Sequence, residues 1–395
     1  MGSPMASLGR LPARVGRCQR TARSTGERRA RPGLSWHSSG LCDIGPHSEM
    51  MERLTVSRAA IAVLAISGQA LMNPDDLGRH RDEVRAARRA ARSVATLVRE
   101  GYRVLVVHGN GPQVGRELLR NEETATKAPP RPLDVCVAAT CGTVGYLLAT
   151  ETRNELRRLR IAKPVSVVLL WTLVGLDDPA FRKPDRALGP VFNAWRARAQ
   201  RPGEMQVTEV EGGWQRVVPS PRPLEILNLD AIEALLDRGQ LVIVGGGGVP
   251  VAVDARGQFV GVEAVVDEDL TAALLAEHLG AEVLAFVTES DQVFANLGRT
   301  DQRSLDRVTA AEVRAVAASG ALAGGGLERK VEAALEFVDD GGLRAIITSA
   351  ERFAAALADR AGTRITRVVD NGPVRRQIDL FPAAEIGDLF LEDDA

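Results

Sequence analysis

Three times in this chain a short, unbroken apolar run ends in a glycine-rich turn, and no other feature constrains the fold as much. Ile61–Ile66 runs into Ser67-Gly68-Gln69, and Tyr102–Val107 into His108-Gly109-Asn110-Gly111-Pro112. Leu241–Val244 runs into Gly245-Gly246-Gly247-Gly248. Apolar runs without alternation belong to strands buried on both faces, and such strands are joined by crossover helices. The intervening periodicity agrees. Residues 76–100 carry Val84, Ala87, Ala91, Val94 and Val98 at three-to-four spacing, with Gly101 as the stop. Pro112 suits the first position of a helix running to about Leu119. Further strands are expected at Val165–Leu170, Val283–Thr288 and Ala345–Thr348, and further helices at 229–238, 269–279, 310–318 and 327–338. The alternation predicts an α/β protein, a three-layer α/β/α sandwich with a mostly parallel central sheet. The stretch 175–222, rich in Pro, Arg and Gly, breaks the rhythm and reads as a small protruding subdomain or lid.

Composition removes several classes. With a net charge of −1 over 395 residues and no basic stripe in the body, the chain offers no nucleic-acid surface. Four cysteines without a C-x-x-C pair and five scattered histidines give neither a disulfide scaffold nor a metal-ligand spacing. No apolar run approaches the roughly 18 residues of a membrane span. The P-loop and protein-kinase signatures are absent, and no G-x-G-x-x-G opens the first βαβ unit. Residues 1–42 hold eight arginines against one acid, Glu27, which leaves −8 for the rest. This leader has the charge of a transit peptide but too few large apolar residues to order itself, with Met50-Met51 standing as an alternative start. The expected organisation is a disordered leader over 1–55, one domain over 56–366, and an acidic-ended tail over 367–395.

Glycine turns at the ends of parallel strands gather on one sheet edge, where amide N–H groups can approach an anion closely. Each turn alone is also an ordinary strand-to-helix connection; three together predict a phosphate cradle. A fourth glycine run, Gly324-Gly325-Gly326, precedes Lys330 in the first turn of a helix. A cation there opposes the helix dipole unless an anion joins it. The chain has only four lysines against 46 arginines, so Lys330 is not filler. Asp267-Glu268-Asp269 opens another helix, either as an N-cap with an acidic first turn or with Asp269 orienting a lysine; periodicity does not separate the two.

The motifs His108-Gly-Asn-Gly-Pro-Gln-Val-Gly115, Pro132-Leu-Asp-Val-Cys-Val-Ala138 with Gly145-Tyr146, Gly213-Trp-Gln-Arg-Val-Val-Pro-Ser-Pro221, Gly245–Pro250 and Gly261-Val-Glu-Ala-Val-Val-Asp267 resemble, in order and spacing, those of carbamate kinases in the amino acid kinase superfamily. The resemblance implies reversible phosphoryl transfer between carbamoyl phosphate and ADP, giving carbamate and ATP, with Mg²⁺. It also implies a cytoplasmic homodimer in arginine metabolism. By this resemblance the catalytic group comprises Lys330, Asp269, Arg186, Gly68 and Asn110. Gly109, Gly111, Gly245, Gly246, Gly247, Thr288, Asp291 and Lys330 line the nucleotide and phosphoryl site.

The chain departs from the family at several of these positions. The family's Gly-Gly-Asn is Ser67-Gly68-Gln69 here, its lid lysine is Arg186, and its Asp-Lys-Asp is Asp267-Glu268-Asp269. Its Thr-Gly-Val-Asp is Thr288-Glu289-Ser290-Asp291, a helix glutamine is Cys141, and the Pro-Gly-Ser-Met before the last lysine is missing. Two alternatives follow: a paralogue acting on another small acyl phosphate, or a ligand-binding protein of the same fold without turnover. Because the leader has no apolar period to pack, deleting residues 1–49 is expected to leave solubility and melting temperature unchanged. An insoluble truncation contradicts that.

Overall fold

The computed structural model describes residues 59–72, 79–195, 206–322 and 326–368. These belong to the second of the chain's two units, Ser57–Ala395. The arginine-rich leader, Gly324-Gly325 and most of the tail lie outside the described residues. In chain order the first elements are β1 (Ile61–Ile66), α1 (His80–Arg99), β2 (Arg103–His108), α2 (Gly111–Thr124), α3 (Leu133–Arg158), β3 (Val165–Val168), β4 (Trp171–Leu173) and α4 (Pro179–Arg182). Next come β5 (Arg186–Phe192), β6 (Gln206–Val210), β7 (Gly213–Val218), β8 (Glu225–Ile226), α5 (Leu229–Asp237), β9 (Leu241–Gly245), β10 (Val249–Val253), β11 (Phe259–Gly261) and α6 (Glu268–His278). The last are β12 (Val283–Thr288), β13 (Val293–Ala295), β14 (Arg303–Leu305), β15 (Arg307–Thr309), α7 (Ala310–Ala318), α8 (Leu327–Asp339), β16 (Arg344–Ser349), α9 (Phe353–Leu357) and β17 (Thr363–Thr366).

The central sheet has eight strands in the order β15-β17-β16-β12-β1-β2-β9-β3. Every neighbouring pair is parallel except β16 with β17. Side chains alternate across it, as a sheet buried on both faces requires. Val63, Ala65, Leu105, Val107, Val242, Leu284 and Phe286 face one core with α5, α6, α7 and α8. Ala62, Leu64, Ile66, Val104, Val106 and Ile243 face the other, with α1, α3 and α9. This is the expected three-layer sandwich.

Several boundaries and connections differ from expectation: α1 begins at His80 and α2 runs on to Thr124. The strand beginning at Val165 stops at Val168, because the chain crosses into a second sheet, β11-β10-β4-β8. The irregular stretch 175–222 contains a regular three-stranded antiparallel sheet, β5-β7-β6, whose short strands have too little alternation to announce themselves. β17 joins the main sheet through Thr363 to Thr366, a polar-looking run that is fully buried. Finally, α3 is one continuous 26-residue helix, and among the described residues it is long and apolar enough to cross a membrane. That corrects the expectation drawn from unbroken runs. Its Val144 and Leu148 pack into the second core, and its Cys136, Val137 and Cys141 into a smaller one with Leu188.

Phe286, in the middle of β12, has no exposed surface. Phe286→Ala is expected to lower unfolding free energy by about 3–5 kcal/mol. Urea denaturation checks this, and a loss below about 1 kcal/mol contradicts the central placement.

Candidate active site

The three glycine turns leave the C-terminal ends of β1, β2 and β9, which are neighbours in the sheet. They meet as backbone against backbone. The amide of Gly109 donates to Ile66 O at 2.7 Å, and that of Gly246 to His108 O at 2.6 Å. A Cβ on Gly109 would stand 2.4 Å from Gly68 N, and one on Gly247 would stand 2.2 Å from Val266 O. Gly246 and Gly248 have φ of +59° and +87°, the left-handed region that favours glycine. Thr172 and Thr271 each donate a hydroxyl to Gly247 O, at 2.6 and 3.1 Å, and hold that peptide in one orientation.

α6 opens against this cradle. Asp267 caps it, Oδ1 accepting from the amides of Asp269 (2.9 Å) and Leu270 (3.3 Å). Asp269 Oδ2 accepts from Lys330 Nζ at 2.7 Å, joining α6 to the first turn of α8. Arg186, the first residue of β5, reaches down from the protruding sheet. Its Nη1 donates to Asp267 Oδ2 at 2.7 Å and its Nη2 to Glu268 Oε2 at 2.9 Å. Glu268 does not face solvent as first-turn acids commonly do; it is 7% exposed, and its Oε1 lies 2.6 Å from where a Cβ on Gly109 would stand.

Three carboxylates thus share two cations in a buried place. Burial pushes the Asp269 carboxyl up to about 7; Lys330 opposes this, and Asp267 and Glu268 reinforce it. Burial acts the same way on Glu268, but Arg186, Lys330 and the Gly68 amide outweigh it and hold Glu268 below its ordinary value. Lys330 is held charged against its own burial, chiefly by Asp269. Glu268 is foremost in doing the same for Arg186. Asp269 Oδ1 is buried without a hydrogen-bond partner, so one carboxylate oxygen in the site remains available to a donor or a cation.

The Amino acid kinase family model matches residues 60–349. Carbamate kinase 2 of Enterococcus faecalis is 38% identical over 313 residues, covering 78% of this chain and 99% of that one. Carbamate kinase of Thermococcus kodakarensis is 36% identical over 311 residues, covering 77% and 98%. Among solved structures, carbamate kinase from Giardia lamblia bound to AMP-PNP superposes with a TM-score of 0.72 at 34% identity, covering 78% of this chain and 99% of that one. The chain belongs to the carbamate kinase family.

Within that family's pattern, the structure brings Gly68, Gly109, Arg186, Asp269 and Lys330 to one cradle, with Gly246 against Asn110 beside it. Gly245 and Gly247 complete the third turn, and Gly111 begins α2. Asn110 stands in its loop with its side-chain Nδ2 donating to Thr140 Oγ1 of α3 at 2.9 Å and its Oδ1 set against Gly246 of the third turn. Thr288 and Asp291 lie apart, at the end of β12, where Asp291 Oδ1 accepts from Ser349 Oγ at 2.5 Å. The resemblance puts Glu268 beside the phosphoryl group, where the family has a lysine, and leaves open whether the side chain faces inward or solvent; the structure turns it inward. Ser349 is not marked by any local pattern in the sequence. His108, beneath the cradle, is fully buried, and burial lowers its pKa to about 4, so it is neutral. Cys141 beside it is raised to about 12 by burial and is not a nucleophile.

The Asp269 carboxyl titrates near 3.9 in an unfolded chain and near 7 in the folded one. Between those values the folded state binds the proton more tightly, so this group's contribution to stability declines as pH rises from about 4 to about 7. Asp269→Asn is expected to flatten that decline. Urea midpoints of both proteins across this range check it, and identical slopes contradict it.

Proposed function

We propose that the protein transfers a phosphoryl group reversibly between carbamoyl phosphate and ADP, yielding carbamate and ATP. The observation that carries this reading is Lys330: a lysine in a lysine-poor chain, 6% exposed, held by Asp269 Oδ2 at the rim of three converging glycine turns. In this transfer the P–O bond to the carbamate oxygen breaks and a P–O bond to the terminal ADP oxygen forms. Catalysis of such a step is mainly positioning and neutralisation of charge on the phosphoryl oxygens. The Gly68 amide supplies a fixed dipole and Lys330 supplies the cation, while the Gly109 and Gly246 amides are engaged by Ile66 O and His108 O and hold the turns in place. Asp269 aims the lysine. Arg186 brings a second cation from the protruding sheet, and its planar fork suits an oxyanion better than an ammonium would. Thr288 and Asp291, on the next strand of the same sheet edge, stand where the nucleotide would extend.

Mg²⁺ belongs to this reading as the companion of the nucleotide phosphates, which it neutralises when bound. Among the described residues no three acidic, His or Cys side chains are grouped to hold a metal. Asp269 Oδ1, buried without a hydrogen-bond partner, is the carboxylate oxygen that would hold such an ion beside phosphate and water. We further read the protein as a homodimer. Val167 on β3, the edge strand of the main sheet, and Leu169 just beyond it are each 42% exposed, and Trp171 at the start of β4 is 47% exposed. Tyr146 of α3, 65% exposed, follows Gly145, which packs on Val167. A contiguous apolar edge of this kind fits a second copy of itself.

The test is a coupled assay of ATP formation from ADP and carbamoyl phosphate with Mg²⁺. Lys330→Ala is expected to lower turnover at least about 10²-fold, measured below the melting transition of each protein because removing one partner of a buried pair also costs stability. Nucleotide binding without turnover in the parent protein selects the ligand-binding alternative.

A further inference from the structure

Glu268 has a geometry that its place in the sequence does not require. An acid at the first position of a helix is favourable with its carboxylate in water. Here the carboxylate is turned inward. Its Oε2 is bonded to Arg186 Nη2 at 2.9 Å, its Oε1 lies 2.6 Å from the site of a Cβ on Gly109, and the Gly68 amide favours its charged form. Those partners are the ones an incoming phosphate would need: two loop glycines and the guanidinium of the protruding sheet. Both outer nitrogens of Arg186 are engaged, one by Asp267 and one by Glu268.

The two carboxylates are not equivalent. Asp267 is fixed from the other side, since its second oxygen caps two amides of α6. Within α6, Glu268 engages only its own amide, and its longer side chain can rotate away without releasing the Asp269 and Leu270 amides, which Asp267 holds. Resting on the phosphoryl-transfer reading above, we propose that Glu268 is a tethered competitor of the anionic substrate. Its carboxylate fills the cradle between Gly68, Gly109 and Arg186 until the substrate's phosphate displaces it. Exchange then leaves Arg186 and the Gly68 amide on the phosphate, with the carboxylate swung out. Phosphate and the inward carboxylate carry like charge and claim the same donors, so they do not occupy the cradle together. The protein is thereby set to respond to high rather than low concentrations of its anionic substrate.

The experiment compares the full chain with Glu268→Gln, which keeps size and loses charge, and with Glu268→Ala, which empties the position. Binding of inorganic phosphate is followed by calorimetry, and KM for carbamoyl phosphate and for ADP by the coupled assay. Both variants are expected to bind phosphate at least about tenfold more tightly and to lower KM for carbamoyl phosphate by a similar factor, with KM for ADP unchanged. Thermal melts confirm that each is folded, and either variant alone suffices if the other is not. Unchanged or weaker phosphate binding overturns the proposal and makes Glu268 a strut that positions Arg186. If no protein makes ATP yet the variants bind phosphate more tightly, the reaction assignment fails while the competitor stands. If the parent makes ATP and phosphate binding does not change, the competitor alone fails.

Discussion

The close approach of three glycine turns at one edge of a parallel sheet is the constraint on which the rest depends. Each turn is bonded to the end of the neighbouring strand, Gly109 N to Ile66 O and Gly246 N to His108 O. Register at the sheet therefore carries directly into loop position. At this range there is no space for side chains: Gly109 lies against Gly68 and Gly247 against Val266. Glycine is selected for what it omits, and the convergence of amide dipoles follows from the packing of backbones. The buried apolar strands beneath supply the rigidity, because eight strands sandwiched between two cores cannot shift one turn without shifting its neighbours.

Electrostatics then decides what such a cradle can hold. Three successive acids sit where a helix dipole welcomes negative charge, and two cations from elsewhere in the chain answer them. The balance is one cation short of neutral, and burial makes that imbalance matter. Asp269 carries it, with its pKa near 7 and one oxygen unpartnered. A substrate bearing further negative charge can enter only with a cation of its own or with removal of a carboxylate. A substrate that brings its own counter-ion meets the first condition, and an outward rotation of Glu268 meets the second. Ion pairs of this kind contribute little net stability, because desolvation offsets the attraction; what they set is which ion occupies the cradle and when.

How much of this the sequence discloses depends on the range of the forces involved. β1, β9 and β12 could be read to within a residue, because burial on both faces writes an unbroken apolar run. The cradle turns were legible because positive φ and close approach both call for glycine. Lys330 stood out by rarity. The protruding sheet was not legible as strands, since β5 and β6 are largely exposed and their alternation is diluted by charged residues. Nor was the direction of Glu268. Whether a first-turn acid points to water or inward depends on Arg186, 82 positions away in the chain, and no local period encodes that pairing. Ser349 and Asp291 are a similar case, joined across two adjacent strand ends.

The same packing settles which part of the site is free to move. Arg186 precedes Leu188, which is 2% exposed and packs with Val114, Leu133, Val137 and Cys141. Next along, Gly189 lies so close to α2 that a Cβ on Gly115 would stand 2.2 Å from its Cα, and Gln215 Nε2 donates to Gly189 O. Lifting the root of the protruding sheet would open that cluster to water, at a cost of about 1.5–3 kcal/mol for each large side chain exposed. Rotating the Glu268 side chain exposes no apolar surface of comparable size. A guanidinium held in place can hand one of its N–H pairs from a carboxylate to a phosphate oxygen, because both accept in the same plane at the same distance. Entry to the cradle is therefore governed by ion exchange at a stationary arginine, and the lid's root acts as the fixed post against which that exchange takes place.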